Sequence, residues 1–179
     1  FIATPFMDKD GVEEGDQGKL RHPHDHNRDY NEDPIYPEVA AAMRWGKEHQ
    51  SSIAAFLDIH CPMVHGPWDN RFYLVGSPFP KVEAHQDAFM DVFGKYRAGQ
   101  VDRHESGVLH FGEAWNTDAN FTGGKCAAIW AAENFQEAEI IASFEIPYAN
   151  SGGVEVNPDS ARALGRDLAV SLLHYLKKP

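Results

Sequence analysis

Between Ser52 and His60 the chain carries an apolar run, Ile53 to Leu57, that ends in Asp58-Ile59-His60. The run is too short for a helix of ordinary length and has polar residues on both sides, so it reads as a buried strand. The stretches around it show the helical period instead. Tyr36 to His49 reads as a helix with Pro37 in its first turn. Pro80 opens another, with Val82, Phe89, Val92, Phe93 and Tyr96 near helical spacing and Gly99 closing it. From Asp159 to Lys178 the pattern is strongest: Asn157 can cap it, Pro158 suits its first turn, and Leu164, Leu168, Leu172 and Tyr175 form the stripe. Further strands are expected at Phe1 to Met7, Arg71 to Gly76, Val108 to Phe111 and Ile140 to Ile146, with a short helix at Cys126 to Phe135. This alternation calls for an α/β fold: a mixed, mostly parallel sheet with helices on both faces.

Length and charge narrow the function. The 179 residues suit one domain, and the 42% apolar content is enough for a sizeable core. With 16 basic against 27 acidic residues, the net charge of −11 leaves no basic stripe for nucleic acid. An anionic ligand would have to be gripped locally, by a few arginines in a pocket. Cys61 and Cys126 show no pairing pattern, which points to a reducing, cytoplasmic setting. No run is long and apolar enough for a membrane span.

Three segments carry chemistry. In open α/β sheets, ligands collect at the carboxyl ends of strands. His60 at such an end is placed to hold a metal, with Asp58 able to fix the imidazole; it also fits a histidine that merely ends a strand. The second segment is Asp8-Lys9-Asp10-Gly11-Val12, where Asp-Gly marks a turn, followed by Arg21 and by Asp25-His26-Asn27-Arg28. Its arginines are planar forks that grip a carboxylate at two points, or else pair with the loop's own aspartates. The third is Ala138 to Tyr148, in which Pro147 stops the strand just after Glu145. A wall of Phe144, Ile146 and Tyr148 would disfavour the ionised carboxylate, as suits a general acid or base. A strand-end glutamate facing water is the plainer alternative.

Together, and in this order, the segments resemble the zinc carboxypeptidases of the M14 type. Asp-Gly-Val with a later Arg and Asp-His-Asn-Arg is similar to that family's substrate-carboxylate loop. Leu57-Asp58-Ile59-His60 is similar to the strand bearing the third zinc ligand. Phe144-Glu145-Ile146-Pro147-Tyr148 is similar to the strand with the catalytic glutamate. The resemblance implies a zinc-dependent hydrolase acting on peptide or protein C-termini, with His60 as metal ligand and Glu145 as base. It gives Asn27 and Arg28 the substrate carboxylate, and Arg21 the developing oxyanion.

The resemblance has gaps. The family places a His-x-x-Glu ligand pair upstream of the Asp-Gly segment, and the seven residues before Asp8 do not contain one. The chain is therefore expected to be the C-terminal portion of such a catalytic domain. Alone, it is expected to bind zinc weakly and to turn over nothing, because catalytic zinc normally takes three protein ligands. His22, His24 and His26 alternate and could bind a metal adventitiously, while His65 is expected to shape the loop after His60. Where the family has a mobile tyrosine, this chain offers Phe121 before Gly123-Gly124, a lid or hinge. A zinc-dependent deacylase of N-acyl amino acids and a non-catalytic binder of peptide ends or carbohydrate also fit these motifs. A truncated sheet would expose an edge and invite pairing between copies.

Overall fold

In the computed structural model, which describes residues 1–16, 18–62 and 68–177, the apolar runs from Ala55 onward become strands and the periodic stretches become helices. The order is α1 (Lys9–Glu14), α2 (Pro37–His49), β1 (Ala55–His60), β2 (Phe72–Val75), α3 (Pro80–Tyr96) and β3 (Arg103–Leu109). Then come α4 (Ala127–Asn134), β4 (Ile140–Glu145), β5 (Asn150–Ser151), β6 (Val154–Glu155) and α5 (Pro158–Leu176). Two compact units result, one of Phe1–Ile53 with Asp118–Glu137, the other of Ala54–Thr117 with Ala138–Pro179.

The second unit holds the sheet, in the order β1-β4-β2-β3. β1 and β4 run parallel, as do β2 and β3, while β2 is antiparallel to β4. Side chains alternate across a strand, so β4 divides its residues between two faces. Ile140, Ala142 and Phe144 join Phe72, Leu74 and the apolar stripes of α3 and α5 in one buried cluster. Phe89 of α3 packs edge-on against both Phe144, at 6.2 Å, and Tyr175 of α5, at 5.6 Å. Each such ring contributes about 1.5–3 kcal/mol by burial. Both helices of this unit therefore cover the same face. The opposite face receives Asp58, His60, Ser143 and Glu145.

Gln86 is the polar exception on α3. Its Oε1 accepts from Ser77 N at 3.0 Å, and its Nε2 donates to Val75 O at 3.2 Å and Ile141 O at 2.9 Å. α5 starts as its sequence requires: Asn157 and Ser160 form a reciprocal capping box. β3 begins at Arg103, earlier than the apolar pattern places it. A register shift between Phe72 and Leu74, with Gly107 at φ 71°, lets the polar stretch join the sheet as a bulge.

In the first unit, α2 approaches α4 closely at Gly46. A Cβ there would lie 2.9 Å from both Phe135 Cζ and Trp130 Cη2, so the rings occupy the space a side chain would need. Two expectations fail in this unit. Phe1 to Met7 forms no strand, and Phe1, Ile2 and Phe6 are exposed, because an apolar run alone makes no ladder without a partner strand. The Asp-Gly segment is helical rather than a turn. The Asp8 carboxylate accepts from Gly11 N at 2.9 Å, capping α1, which ends at Gly15 with φ 74°.

Candidate functional site

His60 and Glu145 are register partners at the carboxyl ends of β1 and β4, and Asp58 and Ser143 are partners one step earlier. Neighbouring parallel strands lie about 4.8 Å apart and paired residues share a face, so the four side chains form a two-by-two patch. A chain of hydrogen bonds crosses it. Ser143 Oγ donates to Asp58 Oδ2 at 3.1 Å, and the same oxygen lies 2.8 Å from His60 Nε2. The carboxylate draws the imidazole proton to Nε2, the tautomer that places the lone pair on Nδ1. Nδ1 is then the nitrogen a metal would take.

Glu145 meets Tyr73 across the other border of β4, where the two are antiparallel register partners. Tyr73 is fully buried, and burial together with the Glu145 charge pushes its hydroxyl far above the usual tyrosine range. Burial and Glu145 also raise the Cys61 thiol. Tyr148 is raised by burial first, then by Cys61 and Glu145. Burial is the larger cause for all three groups, and the one Glu145 carboxylate adds to each shift. The Trp115 side chain acts on Tyr73 in the opposite sense, but less strongly than burial and Glu145. The turn carrying Trp115 is held by buried Asn116, whose Nδ2 donates to Gly76 O and Leu109 O, and it contains Ala114 at φ 45°, a conformation rare outside glycine.

The arginine loop belongs to the other unit. Arg21 is ringed by acids: Nε lies 3.0 Å from Asp8 Oδ2, and Nη1 lies 2.7 Å from Asp16 Oδ2 and 3.5 Å from Glu14 Oε2. The Asp16 hydrogen bond is the main cause of a guanidinium pKa above its ordinary value. Of the two readings open for this arginine, pairing with the loop's own acids is the one the geometry favours. Asn27 Oδ1 accepts from Ala127 N at 2.8 Å, so its side chain helps to satisfy the first turn of α4. Arg28 reaches Asn27 O, Asn120 O and Asn120 Oδ1, with its guanidinium 5.7 Å from the Phe121 ring centroid.

Two of the three alternating histidines, His24 and His26, go to separate carboxylates. His24 Nε2 lies 2.8 Å from Asp29 Oδ1, and His26, stacked on Tyr36, lies 2.6 Å from Glu38 Oε1. Asp29 is buried and also accepts from Ile35 N and Tyr36 N, which makes it the hinge-pin of this loop. His65 lies outside the described residues. The chain does contain a His-x-x-Glu downstream, His110-Phe111-Gly112-Glu113, which the sequence reasoning passed over. Its histidine faces Glu83 at 3.4 Å and Asp87 at 3.8 Å. Among the described residues no three histidine, cysteine or carboxylate groups come together to hold a metal. His60 and its supporting carboxylate suit one ligand position of a zinc site, and the described residues do not complete that site.

Ser143, Tyr73 and Asn120 had no place in the sequence reasoning. Ser143 had a readable signal: it is the polar residue two before Glu145 in an apolar strand, as Asp58 is two before His60. Asn120 had none. No helix among the described residues is long and apolar enough to cross a membrane. The chain matches no family model, and no curated protein is significantly similar to it.

Proposed function

We propose that the chain carries part of the active site of a zinc-carboxypeptidase-like hydrolase that removes C-terminal residues from peptides or proteins. The observation that supports this most is the pairing of His60, held by Asp58, with Glu145 on adjacent parallel strand ends. In this reading Glu145 takes a proton from the attacking water and returns it to the leaving amine. Asn27 and Arg28 bind the terminal carboxylate, a bidentate contact for which guanidinium geometry is suited. Arg21 drops out of the chemistry, since Asp8, Glu14 and Asp16 already neutralise its charge. His60 alone does not hold a catalytic zinc, so the reading requires further ligands from outside the described residues.

Binding is testable on the chain itself. A short peptide with a free C-terminus should bind about tenfold or more tightly than its C-terminal amide, as a charge-assisted pair predicts. Arg28→Ala should erase the difference; equal binding of acid and amide to the unaltered chain would remove the exopeptidase reading. Turnover is testable in a polypeptide that completes the metal site. There Glu145→Gln should keep zinc and lose hydrolysis, and an active variant would strip Glu145 of its role.

A further inference from the structure

The fork of Arg28 is already occupied. Nε and Nη2 both point at Asn120 O, at 3.2 and 3.0 Å, so a single carbonyl takes the edge on which a carboxylate docks side-on. The second Nη2 proton goes to Asn120 Oδ1 at 3.2 Å, and Nη1 donates to Asn27 O at 2.6 Å. Phe121 covers the guanidinium face. Lys19 Nζ also reaches Asn120 Oδ1, at 3.4 Å. Two oxygens of one asparagine, met by an arginine and a lysine, thus stand where the two oxygens of a carboxylate would stand.

The segment that carries Asn120 is built in two parts. Its base is stitched to the arginine loop: Asn31 Nδ2 donates to Arg28 O, Lys125 N to Asn31 Oδ1, and Ala127 N to Asn27 Oδ1. Gly124, at φ 134°, lies so close that a Cβ would sit 2.1 Å from Arg28 O. The tip is the single turn Asp118–Phe121, attached through the Arg28 and Lys19 contacts. Thr122, Gly123 and Gly124 join the two, and glycine there tolerates the backbone rotation that releasing the tip would need.

We infer that the Asp118–Phe121 turn is a built-in plug of the Arg28 carboxylate site, which a substrate carboxylate must displace in order to bind. The inference rests on the assignment of Arg28 to carboxylate binding and adds the regulation of that site. Its thermodynamic consequence is direct: the measured affinity is the intrinsic affinity reduced by the fraction of molecules with the plug released. Weakening the plug tightens ligand binding, and strengthening it does the reverse.

The test uses the full chain with N-acetyl-L-alanine as probe and N-acetyl-L-alaninamide as its uncharged control. Asn120→Ala, which removes one acceptor of the plug, should bind the acid about fivefold more tightly than the unaltered chain. Asn120→Asp, which keeps the shape and adds charge, should bind it about tenfold more weakly. Saturating acid should speed amide hydrogen exchange across 118–122 several-fold while 125–127 stays protected, and the amide should change neither. Acid binding that depends on Arg28, yet leaves exchange at 118–122 unchanged and both variants at unaltered affinity, overturns the plug and spares the carboxylate site. Absence of Arg28-dependent binding overturns both.

Discussion

Replacing Gln86 tests how the sheet that presents His60 and Glu145 is held in register. The side chain is 1% exposed, and its three hydrogen bonds join the loop after β2 to both β2 and β4. Gln86→Leu keeps the volume and removes all three bonds. Each is worth about 1 kcal/mol net, and more where a buried group is stranded, so the gross loss is about 3–5 kcal/mol. The added apolar surface returns about 1 kcal/mol. A net destabilisation of about 2–4 kcal/mol follows. With a urea slope of about 2 kcal/mol per molar, the midpoint for the sheet unit drops by about 1–2 M. Gln86→Glu should be worse at neutral pH, since it sets a negative charge against two carbonyl oxygens in a dry interior. The folded-state pKa of the introduced carboxyl is then raised, so protonation restores a donor and the deficit narrows as pH falls through that value. Urea titration with exchange protection of the β2 and β4 amides as readout measures both effects. A Gln86→Leu chain within 0.5 kcal/mol of the parent, the noise expected of a neutral surface change, would refute the register role.

Two further outcomes follow from pKa shifts in the same unit. Burial, and secondarily the Glu139 charge, pushes Tyr175 up to about 12 from 10.0, with its hydroxyl 3.2 Å from Glu139 O and 2.7 Å from His85 Nδ1. A pKa raised on folding gives stability that is complete below the unfolded value and lost as pH climbs through the folded one. The stability gap between the parent and Tyr175→Phe should therefore narrow from pH 10 towards 12, and a constant gap in urea midpoints would contradict it. The Cys61 thiol, raised by burial and by Glu145, should alkylate with a pH inflection above that of the same cysteine in urea. Glu145→Gln should move that inflection down; peptide mass spectrometry of the Cys61 fragment reads it, and an unmoved inflection would mean the two groups are not coupled.

The fold was legible wherever one physical signal dominated. Pro37, Pro80 and Pro158 marked helix starts, and Gly99 sits just beyond the end of α3. Strands β2 and β4, buried at the sheet centre, fell within a few residues of their apolar runs because such strands must be apolar nearly throughout. β1 formed where its apolar run lies but is an edge strand that is only half-buried, not the buried strand that run suggested, since its place in the sheet depends on which strands become neighbours. The misreadings came where tertiary context decided. Arg103 to Ser106 looks like a loop until a bulge admits it to the sheet. Asp-Gly at Asp10-Gly11 looks like a turn until Asp8 caps a helix across it. For the site, strand periodicity was enough to set His60 and Glu145 at strand ends. It could not show that Ser143 supports Asp58, because that depends on which strands become neighbours. Nor could composition reveal that the acids of the Asp8 to Asp16 stretch would claim Arg21 and leave Arg28 to Asn120.

The sheet joins neighbours that are made far apart in time. Asp58 and Ser143, 85 positions apart in the chain, pair across β1 and β4. On a ribosome adding roughly 5–20 residues per second, β1 waits about 4–17 s for β4, its ladder neighbour among the described residues. Through that interval Phe56, Leu57 and Ile59 are an apolar strand with no backbone partner from β4, the kind of segment that seeds aggregation of nascent chains. Asp58 and His60 break up the apolar run within that strand, so the same polar pair that builds the candidate centre would also act as a gatekeeper during synthesis.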